Sequence, residues 1–132
     1  MGLSPEEIAA IISYRVEKSG QAFKEANDNA GLGNWSLTVN RLYYSVFYLA
    51  LAINLKNQEM AKTHNGVYNL FNKKYIATNV LTREEGHLYR QLFTMRHTGD
   101  YDDLFDWTED DVAPLLPRVE NLLQTMSAIL NS

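Results

Sequence analysis

The sequence predicts an all-α fold, an antiparallel bundle of four to five helices. Three observations predict it. Prolines and glycines are scarce, three and seven in 132 residues, and most stand at segment boundaries, which favours long helices over many short strands. Apolar residues recur at three- and four-residue steps. Helix-start signatures punctuate the chain, each a serine or threonine followed three residues later by a glutamate. Residues 1–132 read as one domain, close to the usual length of about 150 residues.

The first helix opens at Ser4-Pro5-Glu6-Glu7. Ser4 can cap, Pro5 suits the first helical position, and Glu7 completes a capping box. Ile8, Ile11, Ile12 and Val16 follow at helical spacing, and the helix runs to about Asn29. The stretch Asn27 to Asn34 (NDNAGLGN) breaks it.

The second helix spans roughly Trp35 to Lys56. Of the 19 residues from Leu37 to Leu55, 14 are apolar or tyrosine. The remaining polar strip is narrow and holds Thr38, Arg41 and Ser45. A surface helix of a bundle shows an apolar stripe of about 100°. This one exceeds it, so the reading places its own bundle on one side and a partner chain on the other.

A short third helix fits about Asn65 to Ile76. The fourth opens at a second capping box, Thr82-Arg83-Glu84-Glu85, and is expected to end at Gly99 as its C′ residue. The fifth starts at Thr108, with Glu109, Asp110 and Asp111 in a first turn where acids complement the dipole. Pro114 and Pro117 lie too deep for a regular start and predict a kink or restart before the helix runs on to about Leu130.

Composition removes several functional classes. There is no cysteine, which excludes disulfide scaffolds, thiol nucleophiles and cysteine zinc sites. The net charge of −4 excludes a bulk nucleic-acid binder held by overall charge. That charge is uneven. Residues 100–111 (DYDDLFDWTEDD) hold seven acids and no base, while the rest of the chain has twelve bases and nine acids. The plain reading of the acidic belt is a solvated loop plus a helix N-terminus. Met1 to Ala10 shows no basic region ahead of an apolar run, and the longest uncharged apolar stretch, Leu42 to Leu55, has 14 residues where a membrane span needs about 20. The expectation is a cytoplasmic protein with no membrane association.

The fourth helix carries the informative chemistry. Leu88, Tyr89, Leu92, Phe93 and Met95 form its apolar face, and Arg83, His87, Arg90, Thr94 and His97 its polar face. Arg96 falls at the centre of the apolar face. An arginine keeps its charge, so its burial requires an acid close by. Asp100 lies one turn on, followed by Asp102 and Asp103. Two readings stand. Arg96 pairs with Asp100 and locks the helix end to the acidic loop, or it lines a cleft and receives phosphate through its bidentate fork.

Other candidates are weaker. His64 reads as an N-terminal cap or surface residue of the third helix. His87 and His97 fall on the solvent face, and no role is expected of either. The three histidines form no metal-ligand cluster, and neither a phosphate-binding loop motif nor a nucleophile elbow occurs. No metal or cofactor is expected. Tyr43, Tyr44 and Tyr48 surround Arg41; such tyrosines stack on a base or, more often at this spacing, fill a core or interface. Arg41, Tyr44 and Arg96 are the candidate ligand-binding residues.

Three segments in order carry a resemblance: Asn40-Arg41-Leu42-Tyr43-Tyr44-Ser45-Val46-Phe47, Lys62-Thr63-His64-Asn65-Gly66-Val67, and Met95-Arg96-His97-Thr98-Gly99-Asp100-Tyr101-Asp102-Asp103. With them the chain resembles HEPN domains over about residues 5–130, closest to small stand-alone prokaryotic members. The resemblance implies a helical bundle, similar to nucleotidyltransferase substrate-binding domains, that dimerises. It further implies a toxin–antitoxin-type partnership with a minimal nucleotidyltransferase and binding of nucleotide or RNA. Some HEPN proteins are metal-independent RNases, in which an arginine is followed after four to six residues by a histidine. Arg96 matches that arginine, but Asp100 and Tyr101 stand where the histidine would, and no later histidine follows. The resemblance therefore leaves enzyme activity open. It implies a binding module at Arg96, Asp100 and Tyr101, or alternatively an endoribonuclease toxin in which Arg96 binds the phosphate and His64 or Tyr101 moves a proton. Tyr101 is also a candidate for modification by AMP transfer.

Overall fold

The computed structural model describes residues 2–101 and 106–132, with Tyr101 described in its backbone alone. Among the described residues six α-helices follow in order: α1 (Pro5–Gly31), α2 (Trp35–Lys56), α3 (His64–Phe71), α4 (Arg83–Tyr101), α5 (Glu109–Val112) and α6 (Leu115–Leu130). A π-helical turn, Asn72–Ile76, continues α3. No strand occurs among the described residues, and the molecule is an all-α helical bundle.

The helix starts form where the sequence places them. Ser4 Oγ accepts from the Glu7 amide and Glu7 reaches back to the Ser4 amide. Thr82 and Glu85 repeat the arrangement ahead of α4. Thr108 and Asp111 repeat it ahead of α5. Pro114 and Pro117 divide the last helix as expected, and α6 restarts at Leu115. One boundary differs. Gly99 does not end α4, which continues to Tyr101.

A tight turn with Gly33 at φ +76 reverses the chain between α1 and α2. The pair is antiparallel, as three cross-contacts show. Glu25 meets Arg41, Ser19 Oγ donates to the Ser45 carbonyl, and Arg15 Nη1 donates to the Leu51 carbonyl. Helices α2 and α4 are antiparallel too, since Asn40 meets Asp100 and Tyr43 meets Phe93.

Helix α2 is the centre. Helices α1, α3, α4, α5 and α6 all pack on it. Leu42, Tyr43, Val46, Leu49, Ala50, Ala52, Ile53 and Leu55 are buried there, against Leu88, Tyr89 and Leu92 of α4 and Val119, Leu122 and Met126 of α6. The chain's own helices cover much of the apolar surface of α2. One correction concerns the polar strip. Thr38 and Ser45 are fully buried. Thr38 Oγ1 donates to the Asn34 carbonyl and Ser45 Oγ to the Leu42 carbonyl, so each hydroxyl is satisfied within its own helix. Among the residues that α2 leaves half-exposed or exposed, Leu37, Arg41, Tyr44, Tyr48 and Leu51 form a seam at alternating steps of four and three. No helix among the described residues is long and apolar enough to cross a membrane.

Candidate phosphate-binding site

Three elements bring the site together. The second to fourth turns of α2 supply Asn40, Arg41, Tyr43, Tyr44 and Phe47. The start of α3 supplies His64, and the end of α4 supplies Arg96 and Asp100.

Arg96 is mostly buried, its side chain 11% exposed. Its Nη1 donates to Asp100 Oδ2 at 3.0 Å, one turn along the same helix. The guanidinium lies over the rings of Tyr43 (5.0 Å) and Tyr44 (5.9 Å). Its Nε is buried without a hydrogen-bond partner among the described residues. The first of the two readings of Arg96, the pair with Asp100, is thus formed. Yet the pair leaves a donor unused, and Asp100 holds a carboxylate where an incoming anion would sit.

Arg41 is committed elsewhere. Its Nε and Nη2 both donate to Asn40 Oδ1 (3.0 and 2.8 Å), and its Nη1 donates to Glu25 Oε1 at 3.1 Å. It lies 5.1 Å over the Tyr44 ring. Asn40 Nδ2 faces both Asp100 oxygens at 3.5 Å. The result is a row in which acid and base alternate: Glu25, Arg41, Asn40, Asp100, Arg96. Two cations and two anions cancel, so an anion gains a net positive site only when Asp100 is displaced from Arg96.

His64 is neither cap nor surface residue, and that expectation is corrected. Thr63 is the cap, accepting from the Gly66 amide. His64 is half-buried and stacks on Phe47 at 4.3 Å with planes 12° apart. Its Nδ1 lies 2.7 Å from the Tyr43 hydroxyl. Tyr43 is fully buried, so it cannot stack on a base, while Tyr44 and Tyr48 remain half-exposed. Burial pushes the Tyr43 hydroxyl up from its ordinary value, and the Arg96 charge only partly offsets this. Burial, and then the Arg96 charge, pushes His64 down. Both groups are therefore neutral near pH 7. Among the described residues His64 Nδ1 is the partner of the Tyr43 hydroxyl. When the phenol donates to Nδ1, the ring proton sits on Nε2. His64 then offers a neutral N–H donor.

The structure thus gathers Arg96, Asp100, His64, Tyr44 and Arg41 in one place. Tyr101 ends α4 with its side chain outside the described residues, and Asp102 and Asp103 lie outside them too. His87 and His97 are exposed on α4, as expected. No cluster of metal-ligating side chains occurs among the described residues. Sequence reasoning missed Asn40, Glu25 and Phe47. Asn40 stands beside Arg41 in a segment already singled out; Glu25 gives no local signal, because only the α1–α2 register brings it to Arg41.

A helical bundle with an arginine set among aromatic rings at the end of its fourth helix defines a class. The chain belongs to the HEPN domain family, whose model matches residues 12–129. It is 32% identical over 92 residues to a UPF0332 protein of Thermotoga maritima, covering 70% of each chain. It is 29% identical over 103 residues to a protein named as a candidate toxin in Methanocaldococcus jannaschii, covering 78% of this chain and 70% of that one.

Proposed function

We propose that the chain is a toxin–antitoxin-type HEPN protein that binds the phosphate of a nucleotide or RNA end at Arg96 without cutting it. In this reading it acts as a homodimer and partners a minimal nucleotidyltransferase. The observation that carries the reading is Arg96 itself: buried, oriented by two rings, one donor unused, and screened by a carboxylate one turn away. Its neighbour His64 adds a neutral donor rather than a proton acceptor, which suits holding phosphate better than abstracting a proton. The similarity to a candidate toxin supports a toxin-like role. The seam on α2, with Leu37, Tyr44, Tyr48 and Leu51 at heptad-like spacing, supports self-association.

One observation favours a second reading, a metal-independent endoribonuclease. The fold brings a histidine from α3 against the same Tyr43 ring as Arg96, and so supplies from another element what the Arg96 segment lacks.

The test incubates wild type and Arg96→Ala with total RNA in EDTA, and titrates both with AMP by calorimetry. Binding of AMP by wild type alone, with no cleavage, supports the binding module. Cleavage by wild type alone moves the assignment to the RNase. Wild type that neither binds nor cleaves, and recovers no nucleotidyltransferase from host lysate, overturns both.

A further inference from the structure

A sizeable groove among the described residues lies away from Arg96. It lies between α3, the π-helical turn and the outer face of α4, and measures about 570 Å³. Its floor is apolar, built by Tyr68, Ile76 and Met95, and its wall is polar, built by His87, Arg90 and Thr94. No carboxylate lines it among the described residues. A site of this size, mostly apolar with a few convergent donors, is the usual form of a ligand site.

Arg90 is the feature that needs explaining. It is exposed, and no carboxylate pairs with it among the described residues. Yet its position is fixed, because the guanidinium lies 4.7 Å over the Phe93 ring and 5.2 Å over the Tyr68 ring. Such an arginine keeps its donors for phosphate and offers its outer face to a base.

Arg90 is also linked to Arg96. Phe93 stands between them, one helical turn from each, and packs edge-on against Tyr43 at 5.9 Å. Tyr43 in turn lies beneath Arg96 at 5.0 Å. Two arginines, each seated on aromatic rings, thus stand either side of a short aromatic ridge in which Phe93 is half-exposed and Tyr43, beneath Arg96, is fully buried. Of this row only Arg90 lines the groove itself; cations and exposed aromatic rings in succession over a surface are the pattern by which proteins track a single strand. A mononucleotide would engage one end of this ridge and leave the other unused.

We infer that the groove at Arg90 is a second phosphate-and-base subsite, and that the ligand of this protein is a single-stranded RNA long enough to reach from Arg96 across Phe93 to Arg90. This rests on the proposed reading of Arg96 and specifies its ligand class.

The experiment measures binding of AMP and of an RNA oligonucleotide of about six nucleotides, within the site size usual for such grooves. Wild type, Arg90→Ala and Arg90→Lys are compared over a salt series, with folding checked by circular dichroism. Arg90→Ala is expected to bind AMP as wild type does, to lose roughly tenfold for the oligonucleotide, and to show a salt slope shallower by about 0.7, the loss of one phosphate contact on a single strand. Arg90→Lys keeps the charge but not the stacking fork, and is expected to restore the slope while recovering only part of the affinity. Oligonucleotide binding unchanged in Arg90→Ala overturns the inference and leaves the Arg96 reading intact. An equal loss of AMP and oligonucleotide also overturns it, because the groove then holds one nucleotide. Wild type that binds neither ligand overturns the Arg96 reading along with it.

Discussion

The Tyr43 hydroxyl and His64 Nδ1 share a hydrogen bond of 2.7 Å, and the imidazole lies flat against Phe47. One hydrogen bond between α2 and α3 therefore couples the tautomer of the histidine beside Arg96 to the rotation of a buried phenol.

The same arrangement makes stability depend on pH. Burial and the Arg96 charge hold His64 below its ordinary value in the folded state. Below about pH 6.5 the unfolded chain then binds a proton that the folded chain resists. Stability is expected to be full above that value and to fall as pH drops through the folded value. Thermal midpoints of wild type and His64→Gln between pH 8 and pH 5, on the order of the range in which histidine titrates, should converge toward the acid end. Parallel curves would show that His64 does not titrate differently on folding.

The Arg96–Asp100 pair is lopsided. Arg96 is 11% exposed and Asp100 34%. Removing the acid leaves a buried cation with Nε and Nη1 both unmatched; removing the base leaves an acid that water reaches. Asp100→Ala is therefore expected to cost about 1–3 kcal/mol, and Arg96→Met less, by urea denaturation. Asp100→Ala should also bind phosphate more tightly than wild type, since nothing then competes for Arg96.

Tyr89 is fully buried and its hydroxyl has no partner among the described residues. Its ring packs edge-on against Tyr68 at 5.0 Å, and a phenylalanine keeps that contact. Tyr89→Phe is expected to raise stability by about 1 kcal/mol, seen as a higher urea midpoint at unchanged slope. A lower midpoint would mean that the hydroxyl is satisfied after all.

Gly86 permits close approach of the π-helical turn to α4. A Cβ there would fall 2.6 Å from Ile76 Cγ2, on a β-branched side chain that turns little. Alanine gains about 1 kcal/mol of helix propensity at a glycine site, whereas forcing a methyl into a packed contact costs about 1–3 kcal/mol. The clash is expected to prevail, so Gly86→Ala lowers the thermal midpoint, and Ile76→Ala in the same chain recovers part of the loss.

Much of this architecture is legible in the sequence because it is local. Ser4, Thr82 and Thr108 announce helix starts through residues three positions away. The limits of α2 follow from the run that begins at Trp35. Arg96 declares itself as a charge on an apolar face and finds its acid one turn on. What was not legible depends on distance in sequence. His64 looks like an end residue until α3 lays it on Phe47. Thr38 and Ser45 look like a wet strip until α1 closes over them, with Ser19 donating to the Ser45 carbonyl. Gly99 looks like a stop, yet α4 passes through it, and the Arg96–Asp100 pair spans that glycine within the helix.

The packing of α1 carries one further consequence. Its 27 residues rest on α2, and no other helix shares that contact to a comparable degree among the described residues. The remaining helices gather on the other sides of α2. Such a division predicts two levels of cooperativity. The hairpin arm can open as a unit while α2, α4 and α6 stay closed, and amides of α1 would then exchange with solvent faster than those of its partner across the same interface. Opening the arm parts Glu25 from Arg41, the outermost link of the charged row that ends at Arg96. Release of the arm would thus act on the electrostatics of the candidate site through a single joint.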